Sequence, residues 1–274
     1  MFRLTRQVRF AIGGGDTADT GQNGWSGMPE LTGFARFFAL DVTVAGGLDP
    51  ATQYLVNIKS IDAAVRQRVV PIMAGAVKGV GPSQPAGLLS AIHAALAGEL
   101  APARLDVLRL WSSPYQSVVL RTGEIPMVRF TQQFEFAASH RLHNPSLTDE
   151  QNRLAFGKCN NPLGHGHNYV VEVAMIGTPD DAGRMIDQPA MQSAVARVID
   201  RFDHRHLNQE LPEFKDRIPT VENIAKVIYG LLKEPLNGST PSASSGQASS
   251  PRAKLASVTV WETPKTSCEY FEPS

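Results

Sequence analysis

Apolar and polar residues alternate with a period of two from Arg3 to Ile12 and again from Val128 to Ala138, which predicts two half-buried strands. Gly33 to Val44 and Gly164 to Met175 alternate in the same way. The period then lengthens. Ser60 to Ala74 places Ile61, Ala64, Val65, Val69 and Ile72 on one helical stripe, which Pro71 shortens or kinks. Its counterpart runs from Asp187 to Phe202, with Asp187 as a cap and Pro189 in the first turn. Leu88 to Leu100 and Val221 to Leu232 predict a second helix in each half. Two short strands then close each half. Leu105 to Pro114 lines up with Leu255 to Pro264, the Trp and the Pro falling at equivalent places.

The pattern therefore predicts an α+β fold, ββααββ written twice, each copy an antiparallel sheet with two helices on one face. The junction near Gly123 to Pro126 divides the chain into repeats at 1–124 and 125–274. Gly238 to Pro251 is rich in Ser, Gly, Ala and Pro and reads as a flexible surface loop (about 238–252) inside the second repeat.

The copies differ in their polar residues. The second contains Gly157-Lys158-Cys159-Asn160-Asn161-Pro162-Leu163-Gly164-His165-Gly166-His167-Asn168-Tyr169. Strand residues two apart share a face, so His165 and His167 present two imidazoles side by side. His140, at the end of the preceding strand, supplies a third. Three neutral imidazoles leave one position of a tetrahedral zinc open, the arrangement of catalytic rather than structural sites, although copper or nickel would also accept such ligands. Cys159 sits in a polar loop beside Lys158, where positive neighbours favour a thiolate; buried small hydrophobe is its alternative role. Cys268, in an alternating terminal strand, reads as structural. In the first half, His140 aligns with Gly14, His165 and His167 with Phe34 and Arg36, and Glu262 with Ser112. Asp203-His204 falls near Met73-Ala74, Thr220 and Glu222 oppose Gln84 and Ala86, and Gly13 to Gly33 contains no cysteine. The Gly-rich stretches at Gly13-Gly14-Gly15-Asp16 and Gly24-Trp25-Ser26-Gly27 match no phosphate-loop pattern. The first repeat keeps the apolar pattern and lacks the candidate chemistry.

Ser139-His140-Arg141-Leu142, Cys159, His165-Gly166-His167, Asp203-His204, Pro219-Thr220-Val221-Glu222-Asn223 and Val260-Trp261-Glu262-Thr263 together resemble the 6-pyruvoyl-tetrahydropterin synthase family. The resemblance covers roughly the C-terminal half. It implies the topology called the T-fold, whose sheets join between units into a barrel, and a tandem of two such units here. It implies that Cys159 is the general base, that Asp203 and His204 assist proton transfer, and that Glu262 anchors the pterin ring. Thr220 and Glu222 become further substrate contacts, beside their ordinary reading as a helix cap and a first-turn acid. The implied reaction starts from 7,8-dihydroneopterin triphosphate, eliminates triphosphate and rearranges the side chain internally to 6-pyruvoyl-tetrahydropterin. Zinc is the implied cofactor, with magnesium accompanying the triphosphate. The rival within the same superfamily is 6-carboxytetrahydropterin synthase of deazapurine synthesis, which usually has a shorter gap between the cysteine and the histidine pair. A reading of another class is a non-catalytic zinc- or pterin-binding scaffold. Family members close their barrels in trimers that stack as hexamers, with active sites at subunit interfaces. A two-repeat chain would then need three copies for six units.

Composition narrows the partners. The 274 residues carry 26 basic and 26 acidic side chains, so nothing points to nucleic acid or an acidic membrane surface. No apolar run suits a bilayer, and Met1 to Arg6 lacks the apolar core of a secretory signal. Two cysteines make no disulfide framework, and a cytoplasmic compartment is the simplest expectation. His143 and His206 read as solvated surface residues.

Overall fold

The computed structural model describes residues 1–13, 34–237 and 253–273. The Gly14 alignment, both Gly-rich stretches and the proposed loop at 238–252 fall wholly or mainly outside the described residues. The chain divides into two compact units: Met1–Thr131 with Ile176–Met185, and Gln132–Met175 with Ile186–Ser274.

In the first unit β1 (Phe2–Gly13) pairs antiparallel with β2 (Ala35–Gly46), β2 with β3 (Arg104–Ser113), and β3 with β4 (Gln116–Arg121). Register sets which side chains share a face. Val8 lies opposite Leu40, Leu40 opposite Leu110, and Leu110 opposite Val118, so one face is a continuous apolar layer. Ile61, Val65, Val69, Leu89 and Ile92 of the helices are buried as well, and the Arg6–Asp62 ion pair ties α1 (Ile58–Ala64) to the same face of β1. Each buried aliphatic side chain contributes roughly 1.5–3 kcal/mol. The other face is polar. Gln7 Nε2 donates to Asp41 at 2.8 Å, Trp111 Nε1 donates to Asp41 at 2.9 Å, and the Arg109 guanidinium lies 3.8 Å from the Trp111 ring centre.

The helix expected at 60–74 is broken. α1 ends at Ala64, Val65–Val69 form a π-turn, and α2 (Val70–Val77) resumes with Pro71 in its first turn. Pro71 donates no N–H and its ring crowds the carbonyl four residues back, so the backbone widens just before it. α3 (Pro85–Leu96) completes the unit.

The second unit holds most of β5 (Val128–His140), followed by α4 (Asp149–Phe156) and β6 (His165–Gly177). α5 (Gln188–Ile199), the two-residue β7 (Arg205–His206), the short α6 (Leu207–Glu210) and α7 (Val221–Asn237) come next. β8 (Ala253–Thr263) and β9 (Thr266–Tyr270) end the chain. The sheet order is β5-β6-β8-β9, with β7 parallel to β5 through Ala138–Arg205 and Ser139–His206. Asp187 caps α5 by accepting from Ala190 N at 3.0 Å, with Pro189 in the first turn. α4 was not evident in the periodicity; it starts on a capping box between Thr148 and Gln151. The strand order is linear, and the sheet does not close on itself among the described residues. No helix there is long and apolar enough to cross a membrane.

Candidate active site

β5 ends at His140 and β6 begins at His165, so two strand ends deliver the histidines. The turn into β6 is local. Asn161 accepts from Leu163 N with its side chain and from Gly164 N with its carbonyl, and Gly164 takes φ +74°. That conformation suits glycine. His165 and His167 then point to one face. The ligand atoms of His140, His165 and His167 all lie within 4.8 Å of one another.

The cluster is oriented from outside. The fully buried His140 donates from Nδ1 to the Pro219 carbonyl at 2.7 Å, which leaves the Nε2 lone pair directed inward. His140 Nε2 lies 3.2 Å from His165 Nε2. Two nitrogens on a tetrahedral zinc with bonds of about 2.0–2.1 Å stand roughly 3.3–3.4 Å apart. Glu262 Oε1, from the end of β8, lies 3.3 Å from His140 Nε2 and 3.5 Å from His167 Nε2. His165 Nδ1 and His167 Nε2 are buried without hydrogen-bond partners. Several lone pairs thus converge on one small volume, an arrangement that repels itself unless a cation lies between them. The donor set fits a metal ion.

The titration directions agree. Burial, then the neighbouring histidines His140 and His167, holds His165 below the ordinary imidazole range. Burial outweighs Glu262 and does the same for His167. Glu262 is held below the usual carboxylate range, first by its contact with His140 and then by the charge of His167, against desolvation. Neutral His165 and His167 beside the Glu262 anion are protonation states that suit a cation.

Tyr169 forms the floor. It is fully buried, stacks on Phe136 with ring centres 4.8 Å apart, and brings its hydroxyl to 3.4 Å from His140 Nδ1. Burial pushes that phenol far up, and the charges of Glu262 and Cys159 add to the rise. Cys159 is half-buried in a 3₁₀ turn, Gly157–Asn160, and its carbonyl accepts from Leu142 N at 2.9 Å.

Asp203 and His204 form a pair at the β5 edge. Asp203 Oδ1 accepts from Ala137 N at 2.8 Å, Oδ2 contacts His204 Nδ1 at 2.8 Å, and His204 N donates to Ala137 O at 2.6 Å. His204 holds φ +56°, sparsely populated for a residue with a side chain, and its ring is largely exposed. The hydrogen bonds from Ala137 and His204 keep Asp203 below its ordinary range.

Thr220 and Glu222 do not meet the histidines among the contacts observed. Thr220 O accepts from Ile224 N and Thr220 Oγ1 lies 3.4 Å from Asn223 N, both helix-start bonds, while Glu222 is exposed on the first turn of α7. Their neighbour Pro219 makes the contact instead, through its carbonyl. No sequence pattern marks a backbone acceptor, so its role and that of Tyr169 emerge only from the fold.

Two surface assignments are corrected. Both ring nitrogens of His206 are buried, because β7 packs it against Gly164. His143 is half-buried with Nδ1 3.1 Å from Asn160 Nδ2.

Residues 129–273 match the family model described as 6-pyruvoyl tetrahydropterin synthase. The human 6-pyruvoyl tetrahydrobiopterin synthase is 40% identical over 119 residues, 42% of this chain and 80% of that protein. The Drosophila melanogaster protein of the same name is 35% identical over 150 residues, 54% of this chain and 82% of the relative. The solved Caenorhabditis elegans 6-pyruvoyl tetrahydropterin synthase aligns over 54% of this chain and 97% of its own, at 36% identity and a TM-score of 0.47.

Proposed function

The chain belongs to the 6-pyruvoyl tetrahydropterin synthase family, and on that premise we propose that its second unit is a zinc-dependent lyase acting on 7,8-dihydroneopterin triphosphate. The observation that carries the reading is the convergence of His140, His165 and His167 within 4.8 Å, oriented by the Pro219 carbonyl. Zinc held there would supply Lewis acidity toward the side-chain oxygens of the substrate. Cys159, as thiolate, removes a proton from the substrate side chain. Triphosphate leaves, and the side chain rearranges internally to the pyruvoyl group without an external redox cofactor. Asp203 fixes one ring nitrogen of His204, so the other is free to return or relay a proton. Glu262 receives the amino-pyrimidinone edge of the pterin, where a carboxylate accepts two parallel N–H bonds. Thr220 and Glu222 border the ring site, and magnesium travels with the triphosphate. Incubation of the purified protein with 7,8-dihydroneopterin triphosphate, followed by mass spectrometry, tests the reading. A pyruvoyl product is expected; a carboxy product or no turnover would replace it with the rival activity or the scaffold reading.

We further propose that residues 1–124 are a degenerate T-fold repeat of 125–274. Two likenesses support this. Trp111 pairs with Ser117 and Ser113 with Gln116 across a bulge, while Trp261 pairs with Ser267 and Thr263 with Thr266 across another. Gln7 donates to Asp41, and Gln133 donates to Glu172 at 3.3 Å, on corresponding strands.

A further inference from the structure

Five residues separate Cys159 from His165, and this loop is held at both ends. At the far end Gly164 lies flat against the strand exit: a Cβ there would come within 2.9 Å of the His140 carbonyl oxygen. At the near end Asn160 is buried, and its Nδ2 donates to the Leu142 carbonyl at 2.7 Å. The Asn160 carbonyl accepts from Arg141 Nε at 3.2 Å, and Leu142 N donates to the Cys159 carbonyl at 2.9 Å. Arg141 is fixed in turn. Asn208 Oδ1 accepts from Arg141 N at 2.8 Å, and Asn208 Nδ2 donates to Arg141 O at 3.0 Å. A side-chain amide that accepts and donates in this way replaces the two bonds of a neighbouring strand. It continues the pairing that β7 begins at Ala138 and Ser139.

We propose that Asn160 and Asn208 are positioning residues for proton abstraction: through Leu142 and Arg141 they fix the Cys159 turn against the strand exit that carries His140. This rests on the reading of Cys159 as the base. Asn160 reaches Cys159 only through backbone, so its influence is geometric. Removing its amide leaves the Leu142 carbonyl without that donor and frees the turn to shift. A displacement of about 1 Å at a reacting group costs on the order of 10²-fold in rate.

The test is a double-mutant cycle on the full chain with 7,8-dihydroneopterin triphosphate. Asn160→Ala should lower kcat by about 10- to 10²-fold while KM and zinc stoichiometry hold. In a Cys159→Ala background the same substitution should cost nothing further, because the group it positions is gone. Asn208→Ala should repeat the pattern from the opposite segment, and it carries the cycle if Asn160→Ala does not fold. A loss as large in the Cys159→Ala background as in the wild type would overturn the positioning role and leave the base assignment standing. So would an effect confined to KM or zinc content. Wild-type turnover by Cys159→Ala alone would overturn the base assignment and the positioning role with it.

Discussion

At the scale of single residues, the site is a problem in lone pairs. His140 Nδ1 is committed to Pro219, so a neutral ring has nothing to donate from Nε2 toward His165 or Glu262. A cation resolves the conflict, and removing one imidazole leaves too few ligands to hold it. His165→Ala is expected to lose most bound zinc and nearly all turnover while keeping its circular dichroism spectrum; elemental analysis that found full occupancy would refute the ligand set. The same electrostatics sets an acid limit on the metal-free fold. His165 and His167 are held below their ordinary 6.5, so the unfolded chain takes up protons first as the pH falls. Stability is therefore expected to be full above about 6.5 and to decline from there toward the depressed folded-state values. Urea midpoints of chelator-treated protein should drop between pH 7.5 and 5.5. A flat profile would mean that the imidazoles are as solvated as in the unfolded chain.

At the scale of elements, the weak joints are where backbone meets backbone. A Cβ on Gly87, in the first turn of α3, would come within 2.7 Å of the Gly183 Cα. Backbone cannot yield as a flexible side chain does, so Gly87→Ala is expected to destabilise the first unit by about 1–3 kcal/mol, seen as a lower thermal midpoint; an unchanged midpoint would show that the 178–183 turn is free to move. The strands of the first unit were legible because one face is apolar and the other polar, which fixes their period at two. β6 was legible for the same reason, and its start was marked by Gly164 ahead of the two histidines. The break at Val65–Val69 was half legible: Pro71 announces trouble, but whether a helix bends, stops or widens is settled by packing. α4 escaped because it is short and polar on most sides; only the Thr148–Gln151 spacing announces it. His206 misled for another reason. A histidine that follows Arg205 and stands two residues before Asn208 looks solvated, and the parallel pairing of β7 with β5 buries its ring nitrogens.

At the scale of the molecule, the strand order begins at β1 and ends at β9, and neither has a partner on its outer side among the described residues. β1 and β9 each expose an edge that would template further strands, a liability that closure into a barrel removes. On the proposed reading of residues 1–124 as a degenerate repeat, that half keeps its apolar face, lacks the ligands and is suited to supplying such closure. Native mass spectrometry is expected to find three chains per assembly with one zinc per chain, and residues 126–274 expressed alone should assemble differently or be less soluble. Two zinc ions per chain, or a fully active monomer of the second half, would contradict the scaffold role. The His140–Pro219 bond, finally, links the metal centre to secondary structure beyond it. Pro219 directly precedes Thr220, whose carbonyl accepts the Ile224 amide in the first turn of α7. A metal ion on Nε2 would lock the imidazole tautomer that grips Pro219, whereas without it the ring would be free to exchange protons between its two nitrogens. Amide hydrogen exchange at Ile224 and its neighbours should therefore slow when metal is added and quicken when it is withdrawn, so that the start of a helix contributing no ligand reads out whether the centre is filled.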